Sequence, residues 1–303
     1  MASVNPVQAK STTAKKVREG TLSGAKRNNI IFKLIVAILA SLFSLYPIVY
    51  ILSASLNPVN TLTDIIPKQV SFDNYSKLIN DPQYPIFLWL FNSIKVSTIS
   101  TIIIVTLTAL ASYAFSRLRF KGRRTGLLAI LLIQLFPNTL AIVALYLMLV
   151  QIGNIIPWLG LDSQGGLILI YAGGALGANT WLMKGFFDTI PRELDESAQM
   201  DGATPTQTFL QILLPLIRPI LAVIAILVFI GTYADYLLAK VILTSKDNYT
   251  LAVGMNLLID QQQSKYWGQF AAAAVIGAAP IVLVFLLLQK QLVGGLTTGS
   301  VKG

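Results

Sequence analysis

Glu193, Asp195, Glu196 and Asp201 crowd into residues 190–215, IPRELDESAQMDGATPTQTFLQILLP. Leu194, Ala198 and Ala203 recur among them at roughly helical spacing, which puts the acids on a helix. Carboxylates near a helix start are favoured by its dipole and need no further purpose. No catalytic set surrounds them. The chain has no histidine and no cysteine, which excludes thiolate chemistry, disulfides, imidazole proton relays and histidine-based metal sites. It also lacks a G-x-x-x-x-G-K-[ST] phosphate loop, so if its work depends on ATP, the nucleotide binds another subunit. Gly202 followed by Thr204-Pro205 interrupts the acidic helix, and Thr204, Thr206 or a neighbour caps a second one. The expectation is a short helix-turn-helix. A plain connector needs only about four residues, so one that folds in this way is expected to meet another protein.

Two further ionisable groups stand close to apolar sequence. Lys95 precedes an unbroken apolar stretch and can snorkel outward from the start of a span, either as an interfacial anchor or as a polar group beside Asn92 at an outer pore mouth. Asp235, with Thr232, Tyr233 and Tyr236 nearby, is expected to face protein or a water-filled cavity rather than lipid. Neither pairs with a second acid or a base that would suggest an intramembrane enzyme.

The elements that must position these groups are membrane spans. The 303 residues are 54% hydrophobic and 12% charged, against about 25% charged for a soluble domain, and the mean hydropathy is +0.68. A span needs about 20 apolar residues. Segments 30–53, 85–115, 126–150, 166–187, 219–242 and 270–293 qualify. The reading is therefore an all-α polytopic membrane protein with six transmembrane helices, a membrane domain over 30–293 and a folded loop at about 188–218. Residues 1–29, rich in Lys10, Lys15, Lys16, Arg18, Lys26 and Arg27, are expected to be a disordered tail. The apolar run after them exceeds the h-region of a signal peptide and lacks a small-x-small site, so it is read as a retained span.

Orientation follows from the basic residues. The short connection SRLRFKGRR carries Arg117, Arg119, Lys121, Arg123 and Arg124, and with the basic amino tail it is assigned to the cytoplasm. The acidic loop, residues 294–303 and both termini then face the cytoplasm as well. The net charge of +10 is read as this positive-inside bias and not as nucleic-acid binding. Gly173 and Gly177 fit G-x-x-x-G, and with Ala271 to Ala274, Gly277 and Ala278 they form small-residue faces for close helix packing. Pro137 and Pro280 invite kinks. No inverted repeat is visible, and the acidic loop occurs once, so a two-fold pore would take its counterpart from another chain.

The loop carries a resemblance. Glu196-Ser197-Ala198, two residues, Asp201-Gly202-Ala203, eight residues, then Ile212, Leu214 and Pro215 is similar to the EAA loop of ABC importer permeases. Ser197 departs from the usual alanine but is small enough to leave helix packing intact. Phe186-Phe187, Ile190-Pro191 and Glu193-Leu194 agree with sugar-importer members. The final spans and tail, NYTLAVGMNLL…WGQFAAAAVIGAAPIVLVFLLLQKQLVGGLTTGSVKG, resemble the permeases of maltose/maltodextrin importers. The likeness runs over residues 30–303, most closely from Phe186 onward.

This resemblance implies the fold of a type I ABC importer permease and an assembly in the cell membrane. Its members would be a second homologous permease, two ABC ATPase subunits and an extracytoplasmic solute-binding protein that delivers an oligosaccharide. The chain itself would be non-catalytic and hold no cofactor, with ATP and Mg2+ on the ATPases. Glu193, Glu196, Ser197, Ala198, Asp201, Gly202, Ala203, Ile212, Leu214 and Pro215 would form the coupling loop. Asn248, Tyr249, Thr250, Leu251, Ala252, Val253, Gly254 and Met255 would form an outward loop that meets the binding protein. The tail, Gly299, Ser300, Val301, Lys302 and Gly303, would lie against the ATPases. An ion-coupled carrier working alone would instead show inverted repeats and a midplane carboxylate cluster, and neither is visible.

Overall fold

A computed structural model describes residues 24–58, 67, 69–135, 137–260 and 266–298, which are helical with short connections and include no strand. The chain divides into two units, Met1–Val49 and Tyr50–Gly303. In the first, the described residues belong to α1 (Gly24–Leu56), which begins inside the segment expected to be a tail. Every side chain from 29 to 49 is exposed and most are apolar, the surface a lipid-facing helix presents. Residues 1–23 and 299–303 lie outside the described region, and with them Gly299, Ser300, Val301, Lys302 and Gly303 of the expected tail contact.

The second unit holds the end of α1, then α2 (Asp73–Asn80), α3 (Ile86–Arg117), α4 (Arg123–Gln134), α5 (Ile142–Ile155), α6 (Gln164–Thr189), α7 (Glu193–Met200), α8 (Pro205–Leu216), α9 (Arg218–Ala234), α10 (Leu237–Ile242), α11 (Leu251–Asn256) and α12 (Trp267–Thr298). Asn29–Leu56, Ile86–Arg117 and Trp267–Gln291 are each long and apolar enough to cross a membrane. Two bent pairs raise the number to 5: α6, which turns by 46° between Gly174 and Leu176, and α8 with α9, which meet at 75°. The expected third span is divided into α4 and α5 around Pro137. Proline supplies no backbone N–H and disfavours helical geometry in the residue before it, so the helix ends there. Pro280 lies inside α12 without ending it.

The centre of this unit is α3, which packs chiefly on α6 and α9. Its buried face reads Asn92, Ser93, Val96, Ser97, Ser100, Ile104, Thr108, Ser112 and Ser116, at the three- and four-residue spacing of one helix stripe. Most of these side chains are small, which lets neighbouring backbones approach closely. The bulk is supplied from elsewhere, by Phe187, Met183, Leu213 and Ile224, all fully buried. Of the predicted G-x-x-x-G pair, Gly177 meets the side chain of Gln134 on α4, while a Cβ on Gly173 would find open space. The motif therefore serves packing at one of its two positions.

Candidate functional site

The acidic loop folds as two capped helices. α7 starts at Glu193 with Glu193, Asp195 and Glu196 in its first turn, where the dipole favours negative charge. It ends in a Schellman turn: Gly202 N donates to Gln199 O at 3.0 Å and Ala203 N to Ala198 O at 2.9 Å. Gly202 adopts φ +83°, a left-handed conformation that glycine enters without steric cost. Thr204 then caps α8. Its Oγ1 accepts from Gln207 N at 3.3 Å, and Gln207 Oε1 accepts from Thr204 N at 2.8 Å, so two orphan donors are satisfied reciprocally. Thr208–Leu213 winds as a π-helix, a wider turn that often marks functional segments.

This hairpin is fastened to the end of α3. Arg117 Nε lies 2.9 Å from Asp195 Oδ2, with the two side chains 7% and 14% exposed. The contact is charge to charge, since neither atom makes an aligned hydrogen bond. Arg117 Nη2 donates to Ile190 O at 2.8 Å. Ser116 Oγ donates to Asp188 at 2.6 Å, and Ser116 O accepts from Arg123 at 3.1 Å and Arg192 at 3.5 Å. One turn earlier, the Tyr113 hydroxyl donates to Pro205 O at 3.3 Å and its ring lies 4.8 Å from that of Phe209.

The expected loop residues separate into two groups. Glu193, Glu196, Ser197, Asp201 and Gly202 are exposed, with Leu194 and Met200 beside them. Ala198 is buried, and Ala203, Ile212, Leu214 and Pro215 are half-buried, so these hold the hairpin's shape.

At the other end of α3, residues 246–251 are clamped in the same manner. Trp89 Nε1 donates to Lys246 O at 2.8 Å. Asn92 Nδ2 donates to Asp247 O at 2.8 Å and Tyr249 O at 3.0 Å, and Leu251 N donates to Ser93 Oγ at 2.7 Å. Gly254 lies so close to the Trp89 indole that a Cβ would overlap the ring. Asp162, held at φ 54°, fixes the same strand of chain: Oδ1 accepts from Thr244 N at 2.8 Å and Ser245 N at 2.9 Å, and its carbonyl accepts from Asn248 Nδ2 at 2.6 Å. Burial raises the Asp162 carboxyl, but donors from Ser245, Thr244 and Asn248 outweigh it and hold it below the usual range.

The residues expected to reach outward are therefore mostly interior. Tyr249, Thr250, Leu251, Val253 and Gly254 are buried, and Asn248, Ala252 and Met255 are half-buried. The chain leaves this cluster at Leu258 and returns at Tyr266, whose N–H donates to Leu258 O at 3.0 Å. Residues 261–265 between them lie outside the described region.

Asn92 thus acts as a clamp, while neighbouring Lys95 sits over the Phe91 ring at 5.6 Å in an open groove with Trp158 and Gln164. Asp235 accepts from the Tyr171 hydroxyl at 2.8 Å and from Ala239 N at 3.1 Å. It borders a cavity of about 760 Å³ with Thr232, Asn179, Gly174 and Gly231, as expected of an acid turned away from lipid.

Membrane-length helices with a folded polar hairpin at one end of the central helix and a clamped segment at the other define a multi-pass membrane protein. The chain belongs to the family of binding-protein-dependent transport system inner membrane components, which matches residues 20–297. It is 45% identical over 271 residues to the maltose/maltodextrin transport system permease protein MalG of Vibrio vulnificus strain YJ016, covering 86% of this chain and 91% of the relative. The MalG permease of Escherichia coli K12 is 44% identical over the same shares. Among solved structures, a bacterial ABC transporter involved in import of the acidic polysaccharide alginate aligns with TM-score 0.75 at 24% identity, over 88% of this chain and 98% of its own. A second alginate transporter structure, in complex with a pentasaccharide-bound periplasmic protein, aligns with TM-score 0.63 at 20% identity, over 87% and 93%. Both share the fold.

Proposed function

We propose that this chain is a permease subunit of an ATP-driven importer for maltose/maltodextrin-type oligosaccharides. It forms half of a translocation pathway with a second, homologous permease, and two ABC ATPases sit beneath the pair. A solute-binding protein delivers sugar from outside. Both termini and the 188–218 loop face the cytoplasm, and residues 246–260 face outward.

In this reading Glu193, Glu196, Ser197, Asp201 and Gly202 present the contact surface to an ATPase cleft. ATP-driven closure of the ATPase dimer moves the two coupling loops together, and the bundle switches between inward- and outward-open arrangements. ATP and Mg2+ belong to the ATPases, where phosphoryl transfer takes place. This chain does mechanical work and no covalent chemistry. On the outward side, residues 248–255 are the segment that meets the binding protein, held in place by Trp89, Asn92 and Ser93. The tail at 299–303 lies against the ATPases.

The observation that carries this reading is similarity at 44% identity along 86% of the chain to permeases of that transport class, with the hairpin folded and Glu193, Glu196 and Asp201 exposed on it. The test is uptake of radiolabelled maltose, longer maltodextrins and unrelated sugars by the reconstituted complex, with and without ATP. ATP-dependent uptake confined to the glucose oligomers is expected. Uptake without any ATPase, or of unrelated sugars only, overturns it.

A further inference from the structure

Resting on the permease reading, we infer that α3 is a push-rod: one stiff helix that carries displacement of the coupling loop directly to the outward segment at 246–251.

Both ends of the helix are polar sockets. Tyr113, Ser116 and Arg117 grip the hairpin and its flanks through Pro205, Asp188, Ile190 and Asp195. Trp89, Asn92 and Ser93 grip Lys246, Asp247, Tyr249 and Leu251. Sequence neighbours of the loop, α6 and α8, would be the obvious carriers of its motion. However, α6 bends by 46°, and α8 meets α9 at 75°. Both paths therefore have a joint, whereas α3 runs 32 residues without glycine or proline, the usual causes of kinks. At about 1.5 Å per residue it spans about 48 Å. The other membrane-length helices each contain at least one of those two residues.

Between its sockets α3 packs on α6 and α9 chiefly through small and apolar side chains. The buried hydroxyls of Ser97, Ser100, Thr101 and Thr108 make no hydrogen bond. Buried hydroxyls normally find partners, so a shift of α3 that brings them onto carbonyls of α6 or α9 would be favourable. A two-state element needs such a second arrangement. Coupling of this kind is reciprocal, so binding-protein docking at the outward end would act on the ATPases through the same helix.

The test softens the rod and leaves both sockets intact. Ile102 and Thr106 are exposed positions on α3. Ile102→Gly/Thr106→Gly introduces a joint, and Ile102→Ala/Thr106→Ala is the matched control. In the reconstituted complex, the glycine variant should lower binding-protein stimulation of ATP hydrolysis by about threefold or more, while the alanine control keeps wild-type stimulation. A second measurement does not depend on transport. In the full chain in lipid nanodiscs, Asp195→Asn should speed amide exchange at residues 249–254 by about threefold or more, and the glycine joint should abolish that effect. If exchange changes stay confined to the hairpin, or the joint leaves them unaltered, the rod is overturned. Absence of ATP-driven sugar uptake by the wild-type complex would instead overturn the permease reading and leave the exchange result standing.

Discussion

Arg117 and Asp195 form a nearly buried ion pair, 2.9 Å from Nε to Oδ2, that joins the last turn of the central helix to the first turn of the acidic one. Removing one partner of such a pair strands the other charge away from water. Arg117→Ala is expected to destabilise the hairpin by about 3 kcal/mol or more and to lose the bond to Ile190 O as well. Asp195→Asn, which keeps the shape, should cost less. Thermal unfolding of the detergent-solubilised chain checks the order, and Arg117→Ala should show the larger drop. A double Arg117→Met/Asp195→Leu variant should recover part of the loss, because no buried charge is left alone.

Gly254 is a packing constraint. A Cβ there would run into the Trp89 ring, which is fully buried and cannot swing away. Gly254→Ala should cost about 1–3 kcal/mol by overpacking and redshift or quench Trp89 fluorescence. An alanine variant with wild-type stability would show that the indole is free to move.

Gly202 is constrained by backbone angle, since its φ is +83° but nothing among the described residues lies within 4 Å of an added Cβ. Gly202→Ala should therefore cost only about 1–2 kcal/mol of left-handed strain. Gly202→Trp has room in the isolated chain and meets resistance only from a partner. Membrane insertion should be intact for both, while sugar uptake falls far more for tryptophan. Equal uptake by the two variants would place no partner at this turn.

Asp162 sets a pH dependence. Its folded carboxyl lies below the usual range, because donors from Ser245, Thr244 and Asn248 outweigh its burial. A group depressed on folding stabilises fully above its unfolded value of about 3.9 and loses that contribution as pH falls through the folded value. The clamp on residues 244–248 should hold at neutral pH and open below about pH 4. Amide exchange at Thr244 and Ser245 across that range is the measurement, and Asp162→Asn should flatten the acid dependence.

The hairpin was legible because its signals are local. A glycine after the acids and Thr204-Pro205 beyond it prescribe a Schellman turn and a cap within a few residues, and both formed. Asp235 was legible too, since an acid amid apolar sequence has few places to go. Arg117 carries a role that its sequence context did not reveal. Counted as one of several basic residues setting orientation, it proved to be the hairpin's anchor, and only Tyr113, Ser116 and Arg117 sharing one helix face hinted at this. The outward cluster was harder still. Trp89 and Gly254 are distant in sequence, and nothing near NYTLAVG says that it packs under an indole. The outward role came from the family resemblance alone, which carries no information on how deeply Gly254 and its apolar neighbours bury. The divided third span was signalled by Pro137, but apolar length outweighed it in the reading.

The wide turn at Thr208–Leu213 has a consequence for how this hairpin tolerates length changes. It accommodates one residue more than an α-helical turn would, so deleting Gln211 would tighten it to ordinary winding without breaking the helix. Because the wider turn already absorbs the extra residue, its removal leaves everything upstream close to its present azimuth around the α8 axis. The acidic face would keep its present heading while Pro215 and α9 stayed put. A family member that lacks this residue would present the same hairpin in the same direction on an ordinarily wound helix.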